Sequence, residues 1–435
     1  MTGGKWRRIL VAVLLLGSIA EFCARGPFRL LNGGIGWNDF LSPYIQAKAW
    51  AHGADPYTAE SLVAWWPPDN PRPLFVKTDA GTGDLEKKRG VPSPYPVTSL
   101  VLLAPFTFLP WRIAVSLWCA VSVAAVITAV FAVLAICGCR PSEVRSQLFL
   151  AAVFALAPLH TGMATGNPAI LVVGLIACTL WASYAGMEKT AGVLLALAIC
   201  LKPTVAGGLL LYYLLRRHWS VVVTTCATAA TIGVVGLSRL ALAGVRWIPS
   251  YLQNSRRMFA AGSIDDFSRA AELRFHLINS QVFVGGLFSD ASTANLIARL
   301  LGAMLLGCWI WIRWRRRTSS GLLEVSAILI LSLIAVYHRF YDATLLIFPL
   351  AWSLLLARQR SVPLVTLVAI APFFVPGPVL LANLADTGRI PLRITNGWWW
   401  NAIVLPHEAW DLILIAILLL YWMWHESSRS LQPAG

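Results

Sequence analysis

Charge is what this sequence has least of. Asp, Glu, Lys and Arg make up only 13% of its 435 residues, against about 25% in a typical soluble domain. That shortage excludes a water-soluble globule and a solvated disordered chain, both of which need a charged exterior. Acids are scarcer than bases, 20 against 35. No long cytoplasmic segment is expected on which a nucleotide-binding domain would fold, and neither a Walker nor a Rossmann glycine pattern occurs. Metal-ligand spacing is also missing. Cys137 and Cys139 have no spaced partners, and the eight cysteines read as packing residues. No metal and no other cofactor is therefore expected.

Apolar residues dominate instead: they make up 57% of the chain, with 20 Trp and 18 Phe, and the mean hydropathy is +0.67. They gather in blocks of bilayer length near 9–24, 97–110, 112–137, 147–160, 167–185, 191–215, 220–243, 293–313, 321–337, 343–357, 362–381 and 409–424. The reading is an all-α polytopic membrane protein, a single domain over 1–435, with about 12 spans. The first block is expected to stay as a helix, because no small-residue cleavage site follows it.

The net charge of +15 concerns topology and anionic lipid, not nucleic acid. Basic residues cluster at block ends, as positive-inside topology requires. With the N-terminus in the cytoplasm of a plasma (inner) membrane, alternation puts Arg216-Arg217, Arg313–Arg317, Arg358–Arg360 and the C-terminus inside. Arg140 and Arg145 fall outside and are the exception. Three long segments, 25–96, 244–292 and 382–408, face outward, and the first holds seven of the twenty acids. Within it, Phe40, Tyr44, Ala47 and Trp50 recur at helical spacing and predict a helix lying on the membrane surface, while 67–94 reads as a loop.

An ionisable residue inside a span costs about 2.5–3.5 kcal/mol on insertion scales, which makes each one a functional candidate. Lys202 precedes Pro203 within an apolar block, where the proline loosens the helix and opens room for a polar cavity; snorkelling is the alternative. His338, Arg339, Tyr341 and Asp342 crowd into YHRFYDATLL, as a site or as an Arg339–Asp342 salt bridge. Asp39 follows the first span, with Trp37 and Phe40 expected to hold it at headgroup depth. It suits a general base, and either it or Asn38 also suits a helix cap. His160 and Gly166-Asn167 read as a helix–helix turn, and His276, His407 and His425 take no role.

Four stretches, in order, resemble a known family: DFLSPYIQAKAWAHGADPY; PYPVTSLVLLAPFTFLP; GNPAILVVGLIACTLWA followed by AGVLLALAICLKPTVAGGLLLYYLLRRHW; and YHRFYDATLLIFPL. The chain resembles the GT-C superfamily and, more narrowly, glycosyltransferase family 87. The resemblance implies a GT-C-like bundle and transfer of a hexose, mannose for preference, from a polyprenyl-phosphate donor at the outer face. The acceptor would be a lipid or glycan, and the configuration would invert. It implies Asp39 as the base, Lys202, His338 and Arg339 on the lipid phosphate, and Tyr57 closing the loop. Tyr44, Asn167, Tyr341 and Asp342 complete the expected pocket. Gly166-Asn167 stands where the family often has Gly-Gln, and Asn279-Ser280-Gln281 departs from the expected order. The competing classes are a lipid or small-molecule transporter, which would show inverted repeats that are not seen here, and a ligase of preassembled glycans.

Overall fold

A computed structural model describes residues 2–32, 38–70, 93–260, 262–263, 265–269, 271–315, 321–357 and 361–429. The expected anchor Trp37, most of the 67–94 loop, and Arg316, Arg317, Arg358 and Arg360 lie outside these. The described chain is helical, with no strand; one isolated antiparallel bridge joins Leu277 to Arg339.

Five helices among the described residues are long and apolar enough to cross a membrane: Trp6–Leu31, Trp111–Ile136, Trp219–Leu242, Ala291–Arg315 and His407–Glu426. Two bent pairs, Val144–Ala155 with Ala157–Thr165 and Leu364–Phe374 with Gly377–Asp386, raise that to seven. Five further apolar helices, Val97–Phe108, Ala169–Tyr184, Pro203–Leu215, Gly321–Ala335 and Phe340–Leu356, are shorter, so the expected 12 or so spans are not matched by as many helices of span length among the described residues. At 1.5 Å per residue, a helix such as Pro203–Leu215 reaches only about 20 Å, short of an apolar thickness of about 30 Å. Hydropathy counts apolar residues and does not register where a helix breaks.

The 97–110 block forms a short apolar helical segment, below span length. Gln46 Nε2 donates to the carbonyl of Ser93 at 2.7 Å, just before the block. Tyr44 Oη donates to the carbonyl of Leu109 at 2.9 Å, at its far end. Both ends therefore meet the same helix, Leu41–Ala51, two residues apart. The segment is a helix Val97–Leu103 running into a 3₁₀ turn Ala104–Phe108, and both pieces pack against Leu41–Ala51.

Leu41–Ala51 is not the surface helix that its spacing predicted. Nine of its eleven residues are buried. Besides Tyr44 and Gln46, Trp50 Nε1 donates to the carbonyl of Gly236 at 2.9 Å, so neighbours cover it on several sides. Burial extends even to its polar residues Ser42 and Gln46. Phe40, expected at headgroup depth, is fully enclosed.

Candidate active site

Asp39 owes its position to its neighbours. Asn38 Oδ1 accepts the Phe40 N–H at 3.0 Å, so Asn38 makes the local turn and leaves the Asp39 carboxylate for another direction. The Asp39 N–H donates to the carbonyl of Thr165 at 2.7 Å. Phe40 stacks on Trp118 at 4.5 Å between ring centroids, and Trp118 Nε1 donates to the carbonyl of Gly166 at 2.8 Å. Gly166 has φ +67, and a Cβ there would sit 3.3 Å from Phe40 Cβ. Only glycine lets the two chain segments approach this closely.

Asn167 is the next link. Its Nδ2 donates to Asp39 Oδ2 at 2.9 Å. Its Oδ1 accepts the Ala169 N–H at 2.9 Å and lies 3.4 Å from Lys202 Nζ. An amide has one accepting end and one donating end. With two donors on the oxygen, the nitrogen faces Asp39.

Lys202 sits at a helix break. Glu188–Leu201 ends before it and Pro203–Leu215 starts after it, with Pro203 at the first helical position, where its missing N–H is harmless. The break strands the last carbonyls of the first helix. Thr98 and Ser99 satisfy them: both hydroxyls donate to Cys200 O, at 3.0 and 2.8 Å, and Ser99 also donates to Leu201 O at 3.0 Å. The ammonium, largely buried at 14% exposure, lies 2.5 Å from Asp342 Oδ1 and 4.7 Å from the centroid of the Tyr341 ring. It therefore does not snorkel.

The 337–342 turn brings the remaining groups. His338 Nδ1 lies 2.9 Å from Asp342 Oδ2, and both residues are buried. The expected Arg339–Asp342 side-chain salt bridge is not the pairing. Arg339 Nη2 instead donates to Asp265 Oδ1 at 2.6 Å, its Nε to Tyr337 Oη at 2.6 Å, and Tyr337 Oη to the same Asp265 oxygen at 2.7 Å. Asp342 instead takes the Arg339 backbone N–H, at 3.3 Å, beside Lys202 and His338. Ile278 N–H donates to the carbonyl of His338 at 3.0 Å, which ties the 244–292 segment to the turn.

Asp39 alone among these acids is hydrogen-bonded to an amide and is partly exposed. Burial pushes its carboxyl above the usual carboxylate range, against the lowering effects of the Asn167 hydrogen bond and the Arg339 and Lys202 charges. A carboxylate with raised proton affinity, open to solvent and beside two cations, can take a proton from a neighbouring hydroxyl while the cations hold an anion.

Asp39, Asn167, Lys202, His338, Arg339, Tyr341 and Asp342 thus form one connected cluster. Tyr44 and Tyr57 do not point into it. Both are buried, and their hydroxyls donate to the carbonyls of Leu109 and Tyr95. Tyr57 acts at one remove, since Tyr95 lies near enough to Asp39 and Asp342 to feel their charges. His160 stays outside, with Nε2 against the carbonyl of Phe154 at 2.7 Å. Sequence reasoning missed Asp265, Tyr337, Tyr95 and the Thr98-Ser99 pair. An Asp265-Asp266 pair in the 244–292 segment and a tyrosine between prolines were the traces available.

The sequence profile of glycosyltransferase family 87 matches residues 94–349, which includes every member of the cluster except Asp39. The chain is also similar to an alpha-(1->3)-arabinofuranosyltransferase of Mycobacterium tuberculosis, strains CDC 1551 and H37Rv. That protein is 24% identical over 322 residues, covering 70% of this chain and 69% of the relative. No solved structure matches the chain.

Proposed function

The chain belongs to glycosyltransferase family 87, and from that premise we propose that it transfers one sugar from a polyprenyl-phosphate donor to an acceptor hydroxyl, with Asp39 as general base. The observation that carries this reading is the cluster itself. A largely buried carboxylate with some solvent access is joined through Asn167 to Lys202, and through Lys202 to Asp342 and His338, with Arg339 alongside.

In the proposed reaction the acceptor oxygen forms a bond to the anomeric carbon as its proton passes to Asp39. The bond from that carbon to the phosphate oxygen breaks on the opposite face, so the configuration inverts. The electron pair leaves with polyprenyl phosphate, and Lys202 and Arg339 stabilise the charge gained there. Asp342 and Asp265 hold these two cations in place. With Nδ1 of His338 held by Asp342, Nε2 is the atom at which a proton would add a further positive charge. Fixed cations serve the leaving group without a metal ion. Asn167 positions the base and does not contact substrate, because its polar atoms are engaged by Asp39, Ala169 and Lys202.

The proposed location is the plasma membrane, with both termini cytoplasmic and Asp39 facing outward, which requires an even number of crossings and so counts some of the shorter apolar helices as spans. The clustering of basic residues at block ends supports this placement. If Val97–Phe108 stays on one side, Trp111–Ile136 runs inward and Arg140 and Arg145 join the other cations on the cytoplasmic side. The sugar is a hexose by sequence resemblance, mannose for preference, while the relative's name specifies arabinofuranose.

The test is transfer by the full chain in vesicles, offered mannosyl- and arabinofuranosyl-phosphoryl polyprenol in parallel. Polyprenyl phosphate should be released from one donor, with Asp39→Asn slowing release about 10²–10⁴-fold. Wild-type rates in that variant would remove Asp39 as the base. Transfer from diphosphate-linked glycans alone would favour the ligase class.

A further inference from the structure

The helix Trp247–Met258 starts where a span ends. Trp219–Leu242 stops at Leu242, the chain turns at Gly244 with φ +68, and the next helix begins three residues later. One of its faces is held by the segment that follows the first span. Asn254 Nδ2 donates to the carbonyl of Tyr57 at 2.6 Å, and Ser250 Oγ donates to Asp55 Oδ2 at 2.8 Å. The Tyr251 and Tyr57 rings meet edge to face, with centroids 5.1 Å apart.

A second face is apolar and exposed. Ile248, Leu252 and Phe259 recur at i, i+4 and i+11, on one side of a helix, and are 55%, 47% and 52% exposed. Leu242, at the end of the preceding span, is exposed too, so the stripe continues a lipid-facing surface. Arg256 borders the stripe one turn after Leu252, Arg246 stands at the helix start, and both are exposed. An apolar stripe edged by arginines at a span end suits the boundary between acyl chains and anionic headgroups.

The same helix reaches the candidate site. The Asp265 N–H donates to the carbonyl of Met258 at 3.2 Å, and Phe259 meets the Tyr337 ring edge-on at 5.5 Å between centroids. Asp265 and Tyr337 both accept hydrogen bonds from the Arg339 guanidinium. The C-terminal end of the helix is thus joined to the groups that aim Arg339.

We propose that Trp247–Met258 is seated in the headgroup layer of an anionic phospholipid leaflet through Ile248, Leu252 and Phe259, and that this seat braces Arg339. Burial of the stripe in lipid fixes Phe259, and Phe259 fixes the Tyr337 ring whose hydroxyl takes the Arg339 Nε–H. Phe259 and Tyr337 are positioning residues, because they act through Arg339. The brace rests on the reading of Arg339 as a phosphate-binding group; the seat does not.

The seat is tested by photocross-linking of the full chain in nanodiscs of equal parts phosphatidylglycerol and phosphatidylcholine. A benzophenone at the stripe, Ile248→p-benzoylphenylalanine, should give at least about fivefold more phospholipid adduct than one at Gln253, which faces away. Leu252→p-benzoylphenylalanine takes its place if that variant misfolds, with the same result expected. The adduct should favour phosphatidylglycerol about fivefold, the effect of about one basic residue near an anionic surface. Equal yields at the stripe and at Gln253, or a cross-linked dimer of the chain, would overturn the lipid seat. Equal yields of the two lipids would overturn its anionic character.

The brace is read by equilibrium binding of farnesyl phosphate, a short polyprenyl monophosphate, to the chain in the same nanodiscs. Leu252→Glu should weaken binding about threefold in the wild-type chain and not in an Arg339→Ala background. Equal weakening in both backgrounds, or none in either, would overturn the brace. Binding unaltered by Arg339→Ala alone would overturn it by removing Arg339 from the phosphate, and would leave the lipid seat standing.

Discussion

Two clusters of buried ions stand at opposite ends of the same pair of helices. Pro203–Leu215 begins after Lys202 and is followed by Arg216; Gly321–Ala335 holds Glu324 near its start and leads toward His338. At one end, Glu324 is fully buried and takes Arg216 Nη2 at 2.7 Å and Arg313 Nε at 3.3 Å on the same oxygen. At the other end, Lys202, His338 and Asp342 make similar contacts, but the cluster extends through Asn167 to the partly exposed Asp39. The ingredients are the same and the outcomes differ. A carboxylate clamped by guanidiniums and sealed from water is a staple between helices. A carboxylate held by a neutral amide, raised in proton affinity by burial and open on one side, can do chemistry.

That contrast can be broken by mutation. The largest effect belongs to Asp39→Asn, which should cost about 10²–10⁴-fold in kcat. Its thermal midpoint should not fall. Because burial raises the Asp39 pKa in the folded protein, its ionised form opposes folding, most strongly above that pKa, and a neutral amide removes the penalty. Glu324→Gln should do the reverse. Breaking a buried pair costs about 3–5 kcal/mol of stability, readable as a lower denaturation midpoint, with kcat per folded molecule unchanged. Equal kcat losses in the two variants would erase the distinction between staple and site.

Lys202→Met should come next, at about 10²–10³-fold in kcat, the usual cost of removing one group that stabilises developing charge. Single-turnover release of polyprenyl phosphate checks it. Asn167→Leu is expected to have the smallest effect at neutral pH and the most diagnostic one. The hydrogen bond from Asn167 favours the ionised carboxylate, so its loss should raise the pKa of Asp39 further. The acid limb of kcat/KM should then move to higher pH by about one unit. An unshifted limb would show that Asn167 does not position the base.

Much of the cluster was legible in advance because charge is expensive in a membrane. Lys202 and the YHRFYD stretch stood out as polar residues beside apolar blocks, and Asp39 as an acid just past the first one. The pairings were not legible. Asp342 partners Lys202 across 140 residues, and Arg339 partners Asp265 across 74. Adjacency in sequence pointed to Arg339–Asp342, but the turn aims those side chains at different neighbours. Glu324 was overlooked because one acid near a block end looks like a solvated charge until two arginines close over it.

The sequence by itself determined the environment and the material: few charges and long apolar blocks leave only a helical protein in a bilayer, because each helix satisfies its own backbone without water. Only the tertiary structure decided that 97–108 packs against Leu41–Ala51, that Leu41–Ala51 is buried, and which acid keeps a free face. Hydropathy is a property of neighbours along the chain. Whether a helix crosses or returns, and whether a carboxylate meets a guanidinium or an amide, depends on segments 50 to 200 residues away that packing brings into contact.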